Sequence, residues 1–329
     1  MIKGIQLIAD IGGTNARFAY IDAGNRDLLP GSFELQGMRN YLCDDYPRFD
    51  DAIHAYMQQQ GITRIDGLCL AVAGPVHAAQ IKLTNNNWIF DASALQKTFG
   101  APVKIINDFT AQALSIRAMK SSELLWIGKP RPLPLAEGKQ NSAIKLVAGP
   151  GTGFGVAAIL PDGSVMPSEG GHIAFAPSDE HEMKLLSFLC QRHPRVSVER
   201  VLSGEGLANI YWANGKLRGV DLELTAPEIA AHAATGDEIC LQAIADFYAI
   251  LGSVVGDLAV LLGSGGGIYL TGGMLPKLWN FFDVNRFRER VESKGRFREF
   301  CAALPIALVK AEQPGLLGCA VAAQTLLND

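Results

Sequence analysis

Two apolar patterns alternate along the chain. Short unbroken apolar runs that stop at Gly, Asn or Asp predict buried strands, and apolar positions three or four apart predict helices with one face in a core. The run Ile5-Gln6-Leu7-Ile8-Ala9 meets Asp10, turns through Ile11-Gly12-Gly13-Thr14-Asn15 and resumes as Ala16-Arg17-Phe18-Ala19-Tyr20-Ile21, which reads as strand, tight turn, strand. The design returns in mid-chain as residues 143–148, then Gly149-Pro150-Gly151-Thr152-Gly153-Phe154-Gly155, then residues 156–160. Further strands are expected within 28–44, at 67–73 before Gly74-Pro75, from 81 into the polar stretch Thr84-Asn85-Asn86-Asn87, at 102–106, within 265–274 and at 306–309. Helices are expected at 49–60, 94–99, 109–118, 179–190, 204–214, 226–234, 238–262, 275–282 and 315–327, with a basic segment at 286–298. Residues 120–140, with Pro130, Pro132 and Pro134, read as a loop-rich connection.

The two glycine turns suggest chemistry. Glycines permit positive φ and leave backbone N–H groups open to a close ligand, while Thr14 and Asn15 add donors suited to phosphate oxygens. Asp10, at the strand end, is placed to hold Mg²⁺ through water. An ordinary Gly-Gly hairpin satisfies the same residues. Two units of one design imply a duplicated architecture, which resembles the sugar kinase, Hsp70 and actin superfamily: an α/β fold of two ribonuclease-H-like domains facing each other across a nucleotide and sugar cleft. That resemblance implies a nucleotide and leaves the reaction open.

Composition narrows the classes. The 329 residues are 48% hydrophobic, enough for a large core, and length favours two domains. A net charge of -4 argues against nucleic acid or an anionic membrane as the main partner. No apolar run is read as approaching the roughly 20 residues of a transmembrane helix, and Met1-Ile2-Lys3-Gly4 does not open a secretory leader, so a cytoplasmic location is expected. Cys43, Cys69, Cys190, Cys240, Cys301 and Cys319 are scattered without a C-x-x-C pair, which points to reduced thiols and not to zinc or disulfides.

Four polar constellations remain. Asn107-Asp108 follows the strand at 102–106 and precedes a helix, which puts a carboxylate at the carboxyl edge of a sheet, where open α/β folds bind ligands; a plain helix cap by Asp108 is the alternative. Glu169-Gly170-Gly171-His172 has the spacing of half a di-metal site on a helix, but each glycine costs about 1 kcal/mol in a helix. A loop whose carboxylate and imidazole grip adjacent hydroxyls fits better, with a polar surface loop as the alternative. Glu199-Arg200-Val201-Leu202-Ser203-Gly204 offers another carboxylate before a helix, equally readable as a solvated charge. Thr271-Gly272-Gly273-Met274 ends an apolar strand and would let a purine approach the backbone.

In order, Asp10-Ile11-Gly12-Gly13-Thr14-Asn15, Ala73-Gly74-Pro75-Val76, Leu83-Thr84-Asn85 with Trp88, Ile106-Asn107-Asp108-Phe109, Gly151-Thr152-Gly153, Glu169-Gly170-Gly171-His172, residues 199–204 and Leu270-Thr271-Gly272-Gly273 resemble the bacterial ATP-dependent glucokinase family. The resemblance runs from near residue 5 to Gly318. It implies Asp108 as general base on the glucose 6-hydroxyl, with Asn107, Glu169, His172 and Glu199 binding the other hydroxyls. It also implies ATP phosphates held by Ala9, Asp10, Ile11, Gly12, Gly13, Thr14 and Asn15 and by Gly151, Thr152 and Gly153, adenosine near Gly272 and Gly273, and Mg²⁺ with no direct protein ligand assigned beyond Asp10 through water. Gly149-Pro150 and Glu205 depart from the family pattern without touching a hydroxyl ligand. The expected domains are 1–118 plus 309–329 and 119–308, and sugar-driven closure would exclude water.

The expected reaction is therefore transfer from MgATP to D-glucose. A kinase for mannose or an N-acetylhexosamine is the nearest rival. A sugar-sensing repressor of the ROK group fits less well, with no room for a helix-turn-helix before Ile5 and no cysteine-rich zinc motif; an actin- or Hsp70-like ATPase has no use for Asp108 beside a polyol loop. The apolar stretch 238–262 is either core or a subunit interface, the second of which would give a homodimer.

Overall fold

The computed structural model describes residues 4–22, 33–74, 76, 80–82, 88–129 and 143–327. Pro75, Leu83-Thr84-Asn85 of the family pattern, and parts of the expected segments 28–44 and 120–140, lie outside the described residues. In chain order the first elements are β1 (Ile5–Ile11), β2 (Asn15–Asp22), β3 (Gln36–Leu42), α1 (Phe49–Gln60), β4 (Gly67–Val72), β5 (Ile81–Lys82), β6 (Ile89–Phe90), α2 (Ala92–Phe99), β7 (Val103–Asn107) and α3 (Asp108–Ser115). There follow β8 (Leu124–Trp126), β9 (Lys145–Pro150), β10 (Phe154–Ile159), β11 (Val165–Ser168), α4 (Glu180–Arg192), α5 (Gly204–Leu217), α6 (Ala226–Ala234) and α7 (Glu238–Leu262). The last are β12 (Ile268–Leu270), α8 (Leu275–Leu278), α9 (Val284–Glu292), α10 (Arg298–Ala303), β13 (Ile306–Val309) and α11 (Pro314–Ala323). The chain forms two compact units, Met1–Leu124 with Gly163–Val165 and Ala311–Asp329, and Leu125–Asp162 with Met166–Lys310.

The first unit has a sheet in the order β3-β2-β1-β4-β7, in which β1 and β2 form an antiparallel hairpin and β1, β4 and β7 run parallel. Both faces are covered, which is why β1 is apolar without alternation. Leu7, Ala9 and Ile11 point into an aromatic core of Phe18, Phe49, Tyr56, Trp88 and Phe90, while Ile8 packs with Leu316, Cys319 and Ala320 of α11 on the other face. Each Leu, Ile or Phe among them, fully buried, contributes roughly 1.5–3 kcal/mol.

The second unit repeats the plan in the order β11-β10-β9-β12-β13-β8, again an antiparallel hairpin, β9 and β10, followed by parallel β12 and β13. Its core is organised by α7, which packs against α5, α6 and α9. The expectation that no apolar stretch reaches membrane length needs correction: α7 has 25 residues and a window of mean hydropathy 1.7, and 78% of that window is buried inside the protein. Its composition is that of a core helix. Asp246 on it is 2% exposed and accepts hydrogen bonds from Asn214 Nδ2 at 2.9 Å and Gln242 Nε2 at 2.7 Å, with His181 Nε2 at 2.8 Å.

Several expected bounds move for local reasons. Asn107, not Asp108, caps α3, accepting from Phe109 N at 2.8 Å and Thr110 N at 3.2 Å, and Asp108 is the first helical residue. The strand expected within 265–274 between glycines is β12, with Gly267 (φ 105°) and Gly272 (φ 97°) in left-handed conformations on either side. The expected helix at 109–118 stops at Ser115, the one at 315–327 gives way after Ala323 to a 3-10 turn, and 275–282 is a single helical turn followed by another. The six cysteines lie outside any disulfide, and of them only Cys190 is exposed.

α11 and α3 touch closely enough that a Cβ on Gly318 would lie 1.7 Å from the Ala111 carbonyl oxygen. Replacing Gly318 by Ala must therefore separate the helices, and Gly318→Ala is expected to destabilise the protein by about 1–3 kcal/mol or more, as overpacked cores do. A lower midpoint in urea unfolding checks this, and an unchanged midpoint would mean the helices are not in contact as described.

Candidate active site

Parallel register gathers the first unit's candidates at one edge. Ile11 pairs with Val72 and Val72 with Asn107, so β1, β4 and β7 end in a single row and the residues beyond it share the carboxyl edge of the sheet. Those residues are Gly12, Ala73 and Asp108, with Asp10 and Ala9 one and two steps inside the row. The Asn107 side chain, while capping α3, donates through Nδ2 to the Gly74 carbonyl at 3.1 Å, tying the ends of β4 and β7.

Asp108 accepts the Phe109 N–H at 2.8 Å, a bond that favours its charged form. Burial outweighs it, and the nearby Asp10 adds repulsion, so the Asp108 carboxyl is pushed up from 3.8 to about 6. Asp10 is itself raised by burial, against the opposing pull of Arg17, whose guanidinium lies 3.4 Å away. A residue that sequence reasoning missed stands beside it. A Cβ on Gly315, in the first turn of α11, would be 2.6 Å from both Asp10 Cγ and Oδ2, so Asp10 sits against that helix start only because position 315 has no side chain. A glycine after a proline carries no sequence signal for this.

The first glycine turn is closed by Gly12 N–H donating to the Asn15 carbonyl at 2.9 Å, and the second by Gly151 N–H donating to that of Gly153 at 2.8 Å. Gly12, Gly13, Gly151 and Gly153 all stay outside the left-handed region, which corrects the expectation of positive φ; these glycines supply room for close approach. Thr14 lies between Gly13 and Asn15, and Thr152 is exposed at the tip of its turn.

In the second unit, Glu169 precedes and His172 ends a 3-10 turn, Gly170–His172, and not an α-helix. The two glycines are dictated by packing: a Cβ on Gly171 would lie 2.2 Å from the Phe154 carbonyl oxygen, and one on Gly170 2.9 Å from Val156 Cγ2. His172 Nε2 and Glu169 Oε2 are 3.9 Å apart, and both side chains reach solvent, 60% and 86% exposed. The segment beyond them bridges to the chain before Glu199, through Ala174 and Ser197 and through Val198 N–H to the Ile173 carbonyl at 2.9 Å. Glu199, in the turn Val198–Arg200, accepts the Phe154 N–H at 3.0 Å. The structure thus brings Glu169, His172, Glu199 and the Gly151-Thr152-Gly153 turn together around the start of β10.

Gly272 and Gly273 follow β12 beside the same hairpin. A Cβ on Gly272 would be 2.3 Å from the Pro150 carbonyl oxygen, whereas one on Gly273 would meet nothing within 4 Å. Of the two departures from the family pattern, Gly149 is needed because its Cβ would lie 2.1 Å from the Thr271 carbonyl, and Glu205 pairs with Arg200 at 2.5 Å.

The duplicated α/β fold is of the actin and hexokinase type, with a glycine turn in each half and a carboxylate at a strand end, and together with the chain's relatives it marks an ATP-dependent hexose kinase. The glucokinase family model matches residues 7–326, and the chain belongs to the glucokinase family. It is 41% identical over 317 residues to the glucokinase of Chromohalobacter salexigens, covering 95% of each chain. It is likewise 41% identical over 327 residues to that of Marinobacter nauticus, covering 96% of each. Among solved structures, a glucokinase from an Antarctic psychrotroph matches with a TM-score of 0.87 at 33% identity, covering 98% of this chain and 99% of that one.

Because Asp108 is raised from 3.8 to about 6, its charge disfavours the folded state: the stability it contributes is present at low pH and is lost as pH rises through about 6. Asp108→Asn removes that loss. The variant is expected to exceed wild type in urea stability at pH 7.5, by on the order of 1 kcal/mol after solvent screening, and by less at pH 5. A variant less stable than wild type at pH 7.5 would contradict the raised pKa.

Proposed function

We propose that the enzyme transfers the γ-phosphoryl group of ATP to the 6-hydroxyl of D-glucose, with Asp108 as general base. The observation that carries this reading is the Asp108 carboxyl itself, held at the carboxyl edge behind the Asn107 cap with a pKa of about 6. A base works best when its pKa lies near the working pH, where it is ionised yet still basic. In this reading Asp108 accepts the O6 proton as the new O–P bond forms. Asn107, Glu169, His172 and Glu199 hold the remaining sugar hydroxyls, and the exposure of Glu169 and His172 leaves their polar atoms available for that.

The residues from Ala9 to Asn15 and from Gly151 to Gly153 are assigned to the ATP phosphates. Their support is the open backbone of each turn: the N–H groups of Gly13 and Thr14, and of Thr152 and Gly153, have no protein acceptor among the described residues. Gly272 and Gly273 are assigned to the adenosine, the second because its Cα faces open space.

Mg²⁺ fits the donor chemistry. Among the described residues no group of three or more His, Cys, Asp or Glu could cage a metal, and Mg²⁺ bound with a nucleotide needs no such cage, since it keeps waters and phosphate oxygens around one or two carboxylates. Asp10, close enough to Asp108 to raise its pKa, would hold it through water. The ion would supply charge neutralisation on the phosphates. A cytoplasmic location fits this reading, since ATP is at hand there.

An ADP-release assay over a panel of hexoses tests the substrate, and preference for mannose or an N-acetylhexosamine over glucose would overturn that part of the reading. Asp108→Asn is expected to keep glucose binding while kcat falls roughly 10²- to 10⁴-fold, and a variant retaining more than about half of wild-type kcat would sink the assignment. In wild type, kcat/KM should fall as pH drops below about 6, because the base becomes protonated, and this acid limb should vanish in the variant. His172→Ala should raise KM at least as much as it lowers kcat, as expected for a ligand that grips the sugar throughout; a change in thermal stability alone would make His172 structural.

A further inference from the structure

Glu199 is fastened to the second glycine turn more closely than sugar binding requires. Its Oε2 accepts the Phe154 N–H at 3.0 Å, directly after the turn. A Cβ on Gly153 would lie 2.3 Å from Oε2 and 3.2 Å from Cδ, so the carboxylate occupies the space that any side chain at position 153 would fill. Gly153 is not in the left-handed region, so its backbone does not require glycine. The Glu199 carboxylate does.

The seat is held from behind as well. Ser203 Oγ donates to the Glu199 carbonyl at 2.8 Å and accepts the Gly206 N–H at 2.9 Å as the cap of α5, and the Gly204 N–H donates to the Gly151 carbonyl at 3.0 Å. The turn and the Glu199 segment are thus joined at two points, Gly151 with Gly204 and Phe154 with Glu199. Glu199 Oε1 has no protein donor among the described residues and is the oxygen left for a ligand.

We propose that Gly153 is a positioning residue: its missing side chain seats the Glu199 carboxylate on the second glycine turn, so that sugar held by Glu199 and phosphate held by the turn act on one hydrogen-bonded unit. Sugar and nucleotide then raise each other's affinity through this link, by equal factors. The inference rests on the proposed reading in one respect, that Glu199 holds a sugar hydroxyl.

The test is calorimetric titration of the full-length enzyme with glucose, with and without a non-hydrolysable ATP analogue and Mg²⁺. Wild type should bind glucose at least about threefold more tightly when the analogue is present. In Gly153→Ala the added methyl displaces Glu199, so the glucose Kd should rise about fivefold or more and the effect of the analogue should shrink to less than about 1.5-fold. Should Gly153→Ala fold poorly, Glu199→Asp provides the same reading, since the shorter carboxylate cannot span Phe154 N–H and sugar together and should lose the analogue's effect.

Gly153→Ala with wild-type glucose affinity and an intact analogue effect would overturn the proposal, as would a wild-type enzyme whose glucose affinity ignores the analogue. Glu199→Gln separates this from failure of the sugar assignment. An unchanged glucose Kd in Glu199→Gln removes Glu199 from the sugar site and the proposal with it. A raised Kd there beside a normal Gly153→Ala rejects the positioning role alone.

Discussion

The register of three parallel strands is the constraint on which the first unit's chemistry depends. Ile11, Val72 and Asn107 stand in one row across β1, β4 and β7, and the chain leaves the sheet just beyond that row. A slip of one residue in either pairing would turn every side chain of the shifted strand to the other face. Asp10 and Asp108 would then lose their common edge, and with it the mutual repulsion that helps to raise the Asp108 pKa. The register is secured by burial on both faces: Leu7 and Ile11 enter the aromatic core while Ile8 meets α11.

In the second unit the corresponding constraint is backbone against backbone. The Phe154, Pro150 and Thr271 carbonyls each lie where a Cβ on Gly171, Gly272 or Gly149 would have to go. Glycines spread over more than a hundred residues therefore serve one small volume at the ends of β9, β10 and β12. The Glu-Gly-Gly-His pattern shows the result. Its carboxylate and imidazole reach solvent because the two residues between them are pressed flat on β10.

What the sequence disclosed follows from this division. Helices α1, α6 and α7 and strand β13 have the bounds their periodicity predicts, since burial of one face or of all faces writes itself directly into the pattern. The duplicated hairpin and the Asn-Asp pair at a strand end were legible for the same reason. Strands β8 and β11 were missed: one is three residues long, and the other has three of its four residues exposed. Contacts made by absence were illegible. Nothing in the sequence distinguishes Gly315, which makes room for Asp10, from Gly219 or Gly263, which merely end or follow helices. The resemblance supplied candidate residues, but not which of two neighbouring polar residues caps α3; Asn107 takes that place because its side chain also reaches Gly74.

Helix α7 carries a consequence for the protein's life before folding. As it leaves the ribosome the segment Glu238–Leu262 has the length and hydropathy of a bilayer span, and α5 and α9, its later cover, lie on either side of it in sequence. Asp246 and Asp257 are what set it apart. A carboxylate near the centre of a helix entering hydrocarbon costs about 2.5–3.5 kcal/mol, whereas the folded protein gives Asp246 the Asn214 and Gln242 amides and the His181 ring. The same carboxylate is thus satisfied by hydrogen bonds in the folded core and penalised in hydrocarbon, so the residue that makes α7 a costly membrane span is one that the core accommodates.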